Sequence, residues 1–148
     1  MITVTEPLHR AFEIWRSQGI RVRPPADEAV IIATMAEVCR PVSRDVIALY
    51  RLLDGFDDWR ADNHMWSLWP LSRIAEEHRE ADYKRPYTLF SDYCICSYLF
   101  CFRYLSPEVS SVNIDYFDGK EPVLVADSVA EFFEGYCSEP SRMELFRL

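Results

Sequence analysis

The 148-residue sequence predicts a single α+β domain. Three observations lead there. Apolar residues recur at helical spacing through the first third of the chain. An aromatic and branched run, YTLFSDYCICSYLFCFRY, spans residues 87–104 without an internal Gly or Pro, and a hairpin signal follows it. A closing segment, SVAEFFEGYC, then returns to helical spacing. A hydrophobic fraction of 49% with 14% aromatic residues suits a chain that closes one core without disulfide or metal support.

Thr5 is positioned to cap a first helix with Pro7 in its first turn, Leu8, Ala11, Phe12 and Trp15 on one face, and Gly19 past its end. After Pro24-Pro25, Ala29, Val30, Ala33, Thr34 and Val38 repeat helically, widened by Ile31, Ile32 and Met35. A second, well-buried helix is expected over about residues 26–39. Ser43 then caps a third helix carrying Val46, Ile47, Tyr50 and Leu53, stopped at Gly55. A polar loop over 56–63 leads to a short strand at 65–69, and Ser72 caps a surface helix, IAEEHREAD.

Residues 87–104 divide into two strands meeting near Asp92, the second buried on both faces. VNIDYF and PVLVA flank Asp118-Gly119, which marks a hairpin over 111–126, because Gly readily takes the positive φ that such turns need. Ser128 and Glu131 have capping-box spacing ahead of a last helix, whose core face is Val129, Phe132, Phe133 and Tyr136.

No segment holds the roughly 18 consecutive apolar residues of a membrane span, and Glu6, Arg10 and Glu13 interrupt the place where an export signal would be apolar. The cytoplasm is therefore the expected compartment. There the odd set Cys39, Cys94, Cys96, Cys101 and Cys137 reads as free, buried, inert thiols. No HExxH, GxSxG, Gly-rich phosphate loop or zinc-type cysteine spacing occurs, so neither catalytic residues, metal nor cofactor is expected. His78, among the carboxylates of EEHRE, reads as part of a solvated helix face; a small hydrolase built on it would need a pocket around that ring.

The net charge of -8 is uneven: residues 1–25 sum to +2, 54–70 to -3 and 108–134 to -6. Such a field repels nucleic acid and anionic membranes and attracts basic proteins. Trp66 and Trp69 are expected in the core. Asp57, Asp58, Trp59 and Asp62, with Asp115 and Asp118 in the second acidic stretch, are the candidate partner-binding residues, the competing reading being plain solvation of loops.

The order of PVSRDVIALYRLLDGF, MWSLWPLSRIAEE, the 87–104 strands, VNIDYF and VADSVAEFFEGYC resembles the SUKH superfamily, the Syd and Smi/Knr-like domain. The matching pieces, in order, are Pro41 to Gly55, Trp69 to Ile74, Phe90 to Asp92 and Ser128 to Tyr136. They span a core of about residues 26–137, with 1–25 as an N-terminal helical extension of one domain over 1–148. Val129 replaces the aromatic residue common after the serine, and FDDWRADNH is a long insertion. The resemblance implies a mixed, curved β-sheet flanked by helices. It also implies, for most bacterial members, an immunity protein that binds a cognate toxin domain inside the producing cell. An adaptor module not tied to a toxin is the alternative, and exposed aromatic residues leave room for a homodimer.

Overall fold

The fold, given by a computed structural model that describes residues 3–38, 41–57, 60–81, 86–94 and 96–138, alternates helix and strand only once before the sheet is complete. The elements are α1 (Thr5–Ser17), α2 (Glu28–Val38), α3 (Arg44–Leu52), β1 (Trp66–Leu68), α4 (Leu71–Arg79), β2 (Thr88–Tyr93), β3 (Tyr98–Tyr104), β4 (Ser110–Asp115), β5 (Val123–Ala126) and α5 (Val129–Ser138). The five strands lie in sequence order, β1-β2-β3-β4-β5, and every pairing is antiparallel. The α+β domain is thus as expected, whereas the sheet is antiparallel and not mixed. Its strands succeed one another through hairpins or, between β1 and β2, through α4, so no crossover places two strands in parallel.

Aromatic side chains organise the core. Trp15 of α1 stacks on Trp66 at 6.0 Å, and Phe56, Phe133 and Tyr136 surround the pair. Phe132 of α5 meets Trp66, Phe90 and Phe100, which carries the helix across three strands. Phe90 stacks on Phe102 at 3.7 Å between β2 and β3. The N-terminal helix, read as an extension, therefore contributes a ring at the centre of the core. Side chains alternate across a strand, so Leu99, Cys101, Asn113 and Asp115 face away from Phe100 and Ile114, yet they too are buried. Tyr87 donates to Asp115 at 2.9 Å on that side, and Tyr116 packs edge-on against Tyr98.

Several local readings change. The β2–β3 turn falls after Tyr93, with Cys94 and Cys96 both at positive φ, and not at Asp92, which remains in β2 opposite Leu99. α2 is covered on one side only: Ile31, Met35 and Val38 are buried, while Val30 and Ile32 are 51% and 44% exposed. A helix apolar on nearly all sides gives no clue to which side its neighbours cover. Gly55 lies beyond α3 at φ +73, with an added Cβ reaching within 2.5 Å of the Pro70 nitrogen. The helix already ends where Leu53 turns extended, so Gly55 is required by close backbone approach and not, as expected, by helix termination. At α5, the Ser128 hydroxyl accepts the Glu131 N–H at 3.0 Å and Glu131 reaches back to the Asp127 N–H, close to the expected capping box.

Because Phe132 touches both layers, its truncation to Ala removes aromatic contacts from three strands and leaves a cavity. Denaturant unfolding of Phe132→Ala is expected to show a loss of about 3–5 kcal/mol.

Candidate protein-interaction surface

The acidic side chains divide into two populations, those drawn inward to backbone donors and those left in solvent. Asp62 is buried. Its Oδ1 accepts the His64 and Trp66 N–H groups at 2.8 and 3.0 Å, and its Oδ2 accepts the Tyr136 hydroxyl, which in turn accepts the Trp15 indole N–H at 2.7 Å. Burial, reinforced by the Asp62 charge, pushes the Tyr136 hydroxyl far above its ordinary pKa, so it stays a donor. Asp115 is also buried, accepting from Tyr87 and from the Phe117 N–H at 2.9 Å. Both were expected at a partner surface. Neither is available there, because each is already occupied by donors far away in sequence or across a turn.

Two acids outside the expected set serve helix ends. Asp54, in the loop after α3, accepts the Leu71 N–H at 2.8 Å, and Asp45, in α3, the Val129 N–H at 3.2 Å, so they meet the first amides of α4 and α5. Asp45 also takes the Ser110 N–H and, at 2.5 Å, the Ser43 hydroxyl, tying α3 to β4. Burial holds both carboxyls above their ordinary range against these hydrogen bonds. Asp92 accepts the Trp69 indole N–H at 2.6 Å and pairs with Arg73 at 3.2 Å, the guanidinium lying 4.3 Å over the Trp69 ring. Trp66 and Trp69 fill the core as expected.

His78 is not on a solvated face. It is buried, its Nδ1 lies 2.7 Å from the Ile74 carbonyl, and its Nε2 accepts the Leu89 N–H at 3.1 Å. Since β1 stops at Leu68, opposite Ser91, β2 has β3 beside it at Leu89 but no strand on its β1 side, and His78 takes that place. Both ring nitrogens are engaged with backbone, which removes the geometry that a hydrolase built on this ring would need. Among the cysteines, Cys101 is buried, whereas Cys96 is exposed in the β2–β3 turn. Partial burial, with Asp92 nearby, pushes the Cys96 thiol up, which disfavours the reactive thiolate. Among the described residues no three His, Cys, Asp or Glu side chains gather around a point that could hold a metal ion.

Of the remaining candidates, Asp57 and Asp118 are exposed. Asp57 lies 4.0 Å from Arg21 in an open ion pair, and Asp118 accepts the Lys120 N–H at 3.0 Å within the β4–β5 turn. Asp58 and Trp59 lie outside the described residues. The β4–β5 hairpin is apolar as well as acidic: Phe117, Val123 and Leu124 are 51%, 52% and 57% exposed, and Glu121 and Asp127 stand at the two ends of β5. Carboxylates beside uncovered apolar groups form the arrangement expected of a contact surface for a basic protein. Sequence periodicity missed these three side chains, because alternation predicts which residues share a face but not whether that face is covered. A second uncovered apolar area lies on α2, where Ile32, Ala36, Pro41, Val42 and Ile47 line an open groove of about 300 Å³.

Asp45→Ala leaves the Ser110 and Val129 amides without their acceptor and is expected to lower the unfolding free energy by about 2–4 kcal/mol in denaturant titration. A carboxyl raised in the folded state favours folding most below the ordinary carboxylate pKa, and that contribution is lost as pH rises through the raised value. Asp45→Asn therefore reduces the decline of stability with rising pH across that interval; an unchanged slope would contradict the assignment. Among known proteins, no family model matches the chain and no curated protein matches it.

Proposed function

We propose that the protein acts by stoichiometric protein–protein contact, as an immunity protein that neutralises a cognate toxin with a basic surface, such as a nuclease, inside the producing cell. The observation that carries the contact reading is the β4–β5 hairpin, where Phe117, Val123 and Leu124 are each more than half exposed and Asp118, Glu121 and Asp127 stand beside them in the chain. The toxin as partner rests on the resemblance of residues 26–137 to the SUKH superfamily. The engagement of His78 by backbone groups supports a binding role over a catalytic one. No helix among the described residues is long and apolar enough to cross a membrane. Exposed carboxylates accelerate encounter with a basic partner, while apolar side chains that lose water on contact slow release.

Co-expression with the product of the adjacent gene tests this directly: co-purification at one-to-one stoichiometry and rescue of growth are expected. Asp118→Lys with Glu121→Lys lowers the association rate by about tenfold or more at low salt and leaves folding intact, since both side chains are exposed. Rescue by the protein with an association rate indifferent to salt and to these substitutions would remove the steering role. Absence of any complex with that product, with binding to a cellular enzyme instead, would favour the adaptor function.

A further inference from the structure

The two edges of the sheet are treated differently. At the β1 edge, the Phe56 N–H donates to the Leu68 carbonyl at 2.8 Å, and residues 21–23 run alongside 54–57 through the Arg23 N–H to Gly55 carbonyl and Asp57 N–H to Arg21 carbonyl bonds. Where β1 ends, α4 and His78 take over. At the other edge, β5 is hydrogen-bonded to β4 alone among the described residues. Val123 and Leu124 are in register with Ile114 and Asn113, so they lie on opposite faces, yet both are more than half exposed. Natural edge strands are ordinarily protected by a lysine, an inward charge or a covering segment. Val123-Leu124-Val125-Ala126 carries no charge, and Pro122 withholds an N–H only before the strand begins.

Charge at the ends of β5 selects the occupant. Glu121 and Asp118 stand at its entry and Asp127 at its exit, while the nearby Arg103 is paired to Glu121 at 3.2 Å. A second copy pairing antiparallel about Leu124 would set Glu121 against Asp127 of its mate at both ends, a like-charge opposition that disfavours self-association here. We propose that β5 accepts an extended segment of a partner protein as an added strand, a segment with an apolar, β-branched centre and Lys or Arg at both ends. Main-chain hydrogen bonds to the β5 edge, which no other described strand pairs with, supply attachment, and the flanking charges set which segment fits. This inference rests on the protein-contact reading above and adds its mode.

The probe is a short acetylated, amidated peptide of alternating valine and threonine with lysines at each end, followed by amide-resolved NMR and hydrogen exchange on the full chain. Exchange at the amides of β5 is expected to slow by about tenfold or more in excess peptide, with the largest shift changes in Val123–Ala126. The same peptide N-methylated at its central amides does not bind, and a glutamate-flanked version binds about tenfold more weakly or less. Leu124→Lys abolishes the effect while leaving the circular dichroism spectrum and melting temperature unchanged. Unaltered β5 amides, or equal binding of the N-methylated peptide, overturn the proposal. If the adjacent gene's product binds but leaves β5 unprotected, the added strand is excluded and the immunity function stands. If the peptide adds to β5 and that product does not bind, the immunity function is excluded and the added strand stands.

Discussion

The carboxylate of Asp62 is the constraint around which the molecule closes. It gathers two amides at the approach to β1 and the hydroxyl of Tyr136, and through that hydroxyl the indole of Trp15. Three segments widely separated in the chain, α1, the loop before β1, and α5, thereby share one buried hydrogen-bonded chain. Removing an anion from water is costly unless its lone pairs are met, and here donors meet both oxygens. The surrounding rings of Trp66, Phe56 and Phe133 keep water out, which strengthens each bond in the chain and makes any missing member expensive.

The same use of acids recurs across the fold. Asp45 and Asp54 meet the first amides of α5 and α4, Asp92 holds Trp69 and Arg73, and Asp115 holds Tyr87. These five aspartates, Asp62 included, are committed to donors inside the molecule, so they add to the net charge of -8 without being offered for direct contact with a partner. The carboxylates left in solvent include Asp57, Asp118, Glu121 and Asp127, three of them beside the uncovered β5 edge. Charge and exposed apolar surface coincide at that edge, and this coincidence underlies the functional proposal.

Much of the architecture was legible in the chain because it depends on local periodicity. The helical repeats of α1, α3 and α5, the Asp118-Gly119 hairpin and the burial of Trp66 and Trp69 all follow from spacing and turn chemistry. The candidate site was less legible. Asp57 and Asp62 occupy one polar loop, but only Asp62 finds Tyr136, 74 residues away, and no local pattern distinguishes the two. His78 resembles a surface residue until β1 proves too short to pair with Leu89. α2 is apolar nearly all round, so its periodicity could not say that only the Ile31, Met35 and Val38 side would be covered. In each case the deciding partner comes from another element, and it is the closed fold that supplies it.

The most direct test compares two aspartates that composition treats alike. Equilibrium denaturant unfolding of Asp62→Ala is predicted to lose about 3–5 kcal/mol, because the Tyr136 hydroxyl and the Trp66 amide lose their buried acceptor. Asp118→Ala stays within about 0.5 kcal/mol of the parent, since its side chain is exposed. Equal stability of the two variants would contradict the division of acids into internal ties and surface charges.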